Sequence, residues 1–179
     1  MTTSPSVAPD MLRAVEHRLH RMLVEDAPLR DMLAALATTA EALSGSTTVV
    51  SILVLDGEGL LRNGASPNLP ADYLDQIDRL KPDANLGTCA AAAATGEVVE
   101  TPSFFADQRW AELRHLPLSL GFLGAWSMPI KAMNGRVLGT FGTYFREHRG
   151  PTSTERETVS ALAALAAQAI EQRTAAAAV

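Results

Sequence analysis

Cys89, four histidines and two tryptophans are the side chains of this 179-residue chain best suited to chemistry. Cys89 opens an alanine-rich run, Cys89–Thr95, that reads as a short helix. At a helix N-terminus the dipole favours thiolate over thiol, which is how a lone cysteine becomes reactive. It is also the chain's single cysteine, so no second thiol can resolve a sulfenic acid and no internal disulfide can form. Cysteine packs well as a small hydrophobe, and a wall-lining role suits Cys89 better than a catalytic one.

The histidines do not converge on a metal. His17 and His20 lie three apart on a first helix, His148 falls in a polar turn, and His115 stands alone in RWAELRHLP. None has the cysteine or carboxylate company that a ligand set requires. No G-x-x-x-x-G-K-[ST] loop, Ser-His-Asp set or pair of carboxylates can be assembled, so no catalytic residue is assigned. Trp110 and Trp126 each offer a flat apolar surface with one N–H donor, suited to a planar ligand or to a core.

The elements that position these residues follow from patterning. Met1–Pro9 is rich in Ser, Thr and Pro and is expected to be disordered. A helix over residues 10–25, with Asp10 as N-cap, places Met11, Leu12, Val15, Leu19, Met22 and Leu23 on one face. A second helix spans Leu29–Leu43. Thr47–Leu55 is a strand apolar on both alternating sets, which predicts cover on both sides of a sheet. Asp56-Gly57-Glu58-Gly59 turns into a short strand, Leu60–Asn63. A helix over Ala71–Arg79 and a mobile Lys81–Asn85 loop precede Cys89, and Val98–Thr101 is a strand of edge length.

Gly121–Lys131 and Arg136–Arg146 form a hairpin about Asn134-Gly135, because both turn residues tolerate φ > 0. A last helix opens at GPTSTERE, where Thr152/Glu155 and Thr154/Glu157 both have capping-box spacing. It runs to about Arg173, leaving 174–179 as a frayed tail. The order is α+β.

Composition bounds the class. The chain suits one domain of ordinary size. A net charge of −5 carries no basic footprint for nucleic acid. Apolar runs are broken well short of the roughly 20 residues of a membrane span. The N-terminus has neither the basic nor the apolar region of a signal peptide. A single cysteine is compatible with a cytoplasmic setting.

The order G-x-C-x(n)-G-E-V-V, D-x-R-W, W-S-x-P-I and G-R-V-L-G-T-F resembles the GAF domain, a small-molecule-sensing module of bacterial signalling proteins. The resemblance covers most of residues 26–173. It implies an antiparallel, PAS-like sheet with terminal helices on one face and a ligand pocket on the other. It also implies a parallel homodimer through the terminal helices, with 10–25 as a signalling helix and a kinase or cyclic-di-nucleotide enzyme as output. The alternatives are a purely structural dimerisation module without ligand and, behind it, a redox enzyme using Cys89.

Members that attach a bilin have Cys followed by His, whereas here Ala90 follows Cys89. Members that reduce free methionine sulfoxide need a second cysteine. The Asn-Lys-Phe-Asp-Glu pattern of cyclic-nucleotide binders is not recognisable. The cofactor is therefore left open, with His115 the single candidate for a haem ligand. The residues the resemblance brings to the pocket are Cys89, Phe105, Trp110, His115, Ser127 and Thr143. On the Gly121–Ile130 strand, Trp126 shares parity with the bulky Phe122, Met128 and Ile130, which suits a helix-covered core, and Ser127 takes the other face. Thr143 and Tyr144 have opposite parity, so one of them faces the cavity.

Overall fold

The computed structural model describes residues 7–177. Two helices, α1 (Val7–Val24) and α2 (Leu29–Leu43), precede strands β1 (Thr48–Leu55) and β2 (Leu61–Ala65). Short helices α3 (Ala71–Ile77) and α4 (Cys89–Thr95) lead to β3 (Val99–Thr101). A 3₁₀ turn, Gln108–Trp110, and α5 (His115–Ser119) then lead to β4 (Gly124–Lys131), β5 (Val137–Phe145) and α6 (Ser153–Ala177). The strands form one antiparallel sheet in the order β2-β1-β5-β4-β3.

The sheet is covered on both faces, as the two apolar sets of β1 require. Val50, Ile52, Trp126, Ile130, Phe141 and Phe145 pack on one face beneath α2 and α6. Leu53, Ala125 and Tyr144 lie on the other, under α3, α4 and the 104–122 connection. Between them runs β5, paired with β1 from Thr48↔Phe145 to Val54↔Gly139 and with β4 from Gly124↔Phe145 onward. α1 buries Val15 and Leu19 against α2 and α6 of its own chain. Arg173 of α6 donates to the Ala27 carbonyl at 2.6 Å, tying the last helix to the α1–α2 link. Among the described residues no helix is long and apolar enough to cross a membrane.

Several boundaries differ from the sequence reading. Asp10 is not an N-cap: the helix already includes Val7–Pro9, Pro is tolerated in a first turn, and Asp10 pairs with Arg13 at 3.1 Å. The rest of the expected disordered segment, residues 1–6, lies outside the described residues. The β4–β5 turn has positive φ at Gly135 alone, +86°, and not at Asn134. Gly135 N–H donates to the Ala132 carbonyl and the register shifts at Ile130/Lys131, so one glycine absorbs the left-handed step. α6 continues through Ala177, past the expected frayed start at 174, while residues 178–179 are not described. Its cap is the Thr152/Glu155 box, with Glu155 N–H donating to Thr152 Oγ1 and Thr152 N–H to Glu155 Oε1.

Trp126 is completely buried among α2 and α6 side chains, in line with its parity. Trp126→Ala should therefore destabilise the domain by about 3–5 kcal/mol, the usual loss for emptying a large core site. Urea unfolding measures it.

Candidate functional site

The far face of the sheet encloses a small cavity, bounded by α3, the N-terminal turn of α4 and the segment around Trp110. Its walls include Leu53, Tyr73, Ile77, Cys89, Trp110 and Tyr144, with a volume of about 20 Å³. At roughly 10–15 Å³ per water by this measure, that is space for one water, against the 300–1,000 Å³ typical of organic ligand sites.

Trp110 is placed by a hydrogen-bond relay whose direction can be worked out. Its indole N–H donates to Thr88 Oγ1 at 2.8 Å. Thr88 and Thr101 hydroxyls lie 3.0 Å apart, and Thr101 donates its proton to Asp107 Oδ2 at 2.6 Å. Each hydroxyl has one proton, so Thr88 donates to Thr101 and the relay ends on a carboxylate. Asp107 also accepts from the backbone N–H of Arg109 at 3.0 Å and pairs with its guanidinium at 2.6 Å. Arg109 in turn donates to the Glu100 carbonyl on β3, and its own carbonyl accepts from Gly87 N–H. The D-x-R-W motif thus locks the Trp110 turn to β3 and to the start of α4. Phe104 meets Trp110 edge-on, with ring centroids 4.6 Å apart.

Opposite Trp110, Tyr73 of α3 and Tyr144 of β5 join their hydroxyls at 2.7 Å. One donates to the other, which leaves the acceptor's own proton for a further partner. Burial pushes both phenols up, so the pair is neutral at ordinary pH. Burial likewise pushes the Cys89 thiol up, against smaller opposing effects of the nearby Ser127 and Thr140 hydroxyls. Neither hydroxyl makes a hydrogen bond of ordinary geometry to a described group. A raised thiol pKa is the reverse of what a nucleophilic cysteine needs.

Of the six residues proposed for the pocket, Cys89, Trp110 and Thr143 lie in its wall. Ser127 is buried beneath it near the thiol. Thr143 borders it from the helix side, opposite Trp126 in register, and Tyr144 is the neighbour that faces the cavity. Phe105 lies outside, 58% exposed and stacked near His148. His115 begins α5, exposed to solvent and outside the wall. Among the described residues no group of three or more His, Cys, Asp or Glu could hold a metal. The sequence pattern gives no signal for Tyr73 and leaves Tyr144 and Thr143 as alternatives. Thr88 precedes α4 but its hydroxyl makes no cap bond and instead serves Trp110.

The sequence profile of the GAF domain matches residues 26–171. The chain belongs to the GAF domain family. No curated protein matches it by sequence. Among solved structures it is similar to the GAF domain of a phosphoenolpyruvate-protein phosphotransferase from Coxiella burnetii, at 18% identity and a TM-score of 0.75. That match covers 96% of this chain and 97% of the other. It is equally similar to a free methionine-R-sulfoxide reductase from Neisseria meningitidis, at 17% identity and TM-score 0.74, covering 98% and 96%. The chromophore-binding domain of a bacteriophytochrome from R. palustris matches at 16% identity and TM-score 0.61, covering 90% and 60%. At these identities the likeness is one of fold, and the GAF residues around Trp110 must speak for this chain.

Asp107 tests the relay. Burial raises its carboxyl pKa, but bonds from Arg109 and Thr101 outweigh this and hold it below the ordinary 3.8. A depressed pKa contributes stability above the unfolded value that is lost as pH falls through the folded one. Asp107→Asn should cost about 1.5–3 kcal/mol at pH 7, as for hydrogen bonds to a charged group. The deficit should shrink as pH falls below 4. Urea midpoints of both proteins between pH 7 and 3 measure this.

Proposed function

We propose that this GAF domain is a regulatory module that senses a small molecule on the far face of its sheet. The observation that carries the reading is the make-up of the far-face cavity. An indole, a phenol pair with a spare proton and a thiol meet there within otherwise apolar walls. Such walls suit a largely apolar planar ligand with a hydrogen-bond acceptor. Entry requires the cavity to widen, chiefly by movement of Ser103–Leu120 and of the Lys81–Asn85 loop. A ligand shifts that equilibrium only by binding the open form more tightly than the closed one. The terminal helices α1 and α6 would carry the change to a kinase or cyclic-di-nucleotide output, in a cytoplasmic homodimer. The bacteriophytochrome relative, a chromophore-binding domain in its own right, supports a binding role for this fold.

One observation favours a second reading. At about 20 Å³ the cavity is nearly filled by the protein's own side chains, as in a module that only dimerises. The reductase relative raises an enzymatic reading, but this chain has a single cysteine and its thiol is pushed up by burial. We therefore propose a non-enzymatic role.

Native mass spectrometry of gently purified protein, beside a denatured sample and an absorption scan, tests the sensor. The expected result is an adduct released on denaturation and weakened in Trp110→Ala. Bare protein, together with no thermal stabilisation by any member of a metabolite panel, would favour the dimerisation module. Turnover of free methionine sulfoxide should be absent in wild type and Cys89→Ser alike. A rate lost only in Cys89→Ser would establish the enzyme. Sedimentation at high micromolar concentration should show a dimer, and a monomer would remove that part.

A further inference from the structure

We propose that a second cavity, on the helix face of the sheet, is a built site for one neutral hydroxylic molecule of water's size, held between Trp126 Nε1 and Thr143 Oγ1. This cavity lies between α2, the first turns of α6 and the sheet, with a volume of about 30 Å³. It is separate from the far-face cavity and does not depend on the sensor reading.

Trp126 and Thr143 are cross-strand partners on β4 and β5, and both line the cavity. They are 0% and 4% exposed, yet neither the indole nitrogen nor the hydroxyl has a partner among the described residues. A buried indole N–H without an acceptor is costly, and native interiors rarely leave one. Of the other polar groups on the wall, Ser44, Thr48 and Glu155 are already engaged, while Thr154 and Thr158 of α6 add two further hydroxyls. Ser44 donates to the Glu41 carbonyl at 2.9 Å, so the Thr48 hydroxyl, 2.6 Å away, donates to Ser44. Glu155 pairs with Arg149 and closes the α6 cap.

The chemistry of the wall selects the occupant. It must accept from the indole N–H, which a cation would not do. It must tolerate the Glu155 carboxylate on the same wall, which disfavours an anion. It must also bond a threonine hydroxyl. A neutral molecule that both donates and accepts satisfies all three. At roughly 10–15 Å³ per water, the volume admits one or two waters and no organic ligand.

The sign of one substitution separates a solvated hydroxyl from an orphaned one. Thr143→Val keeps the shape and replaces the hydroxyl with a methyl group. If Thr143 bonds a bound water, the variant unfolds at lower urea concentration than wild type. If the hydroxyl is orphaned, its removal relieves a desolvated polar group and the midpoint stays or rises. We expect the lower midpoint, and an unchanged or higher one overturns the proposal. A crystal structure of the full chain should show an ordered water within hydrogen-bond distance of both Trp126 Nε1 and Thr143 Oγ1. A dry cavity, or a protein acceptor on the indole, overturns it equally.

Discussion

Strand β5 runs through the middle of the sheet with helices over both faces, and two of its glycines sit where a side chain would block a close approach. A Cβ at Gly139 would lie 2.1 Å from the Leu53 carbonyl oxygen of β1. A Cβ at Gly142 would lie 2.9 Å from Cys89 Sγ. The second approach brings the start of α4 down onto the sheet, and with it Thr88 and the Trp110 turn. Gly142 itself lines the far-face cavity, where a Cβ would push against Cys89. The same approach buries the thiol beside the Tyr73–Tyr144 pair, in surroundings that favour the neutral form of all three groups.

The far face is held by polar bonds where the helix face is held by packing. Beneath α2 and α6, large side chains interdigitate and the helices are long. Across the sheet, α3, α4 and α5 are five to seven residues each, too short to be stable alone. The relay from Trp110 to Asp107, the Arg109 bonds to β3 and the tyrosine pair supply the fixed points there. Such a layer can reorganise by exchanging a few hydrogen bonds without disturbing the main core, as a binding face beside a rigid scaffold needs.

The two cavities meet at one rung. Trp126 and Thr143 border both, so the sheet between them is a single strand pair thick. On the helix side that rung faces the joint between α2 and the capped start of α6. On the far side it backs the wall formed by Cys89 and Tyr144.

Local patterning was enough for the strands and the long helices, and it narrowed the α6 cap to two boxes, because periodicity and capping chemistry depend on neighbours in sequence. It also assigned Trp126 to the core, since side chains alternate along a strand whatever lies above it. The D-x-R-W motif was visible, but its purpose was not. Asp107 acts through Thr101 and Thr88, which sit on separate elements and have no spacing signature. Only the tertiary structure decided that Phe105 and His115 stay outside the cavity, that Tyr144 and not Thr143 faces it, and that Tyr73 completes it. Those outcomes depend on how the 104–122 connection crosses the sheet. That path is set by long-range contacts with α3, α4 and β3, which no local pattern encodes.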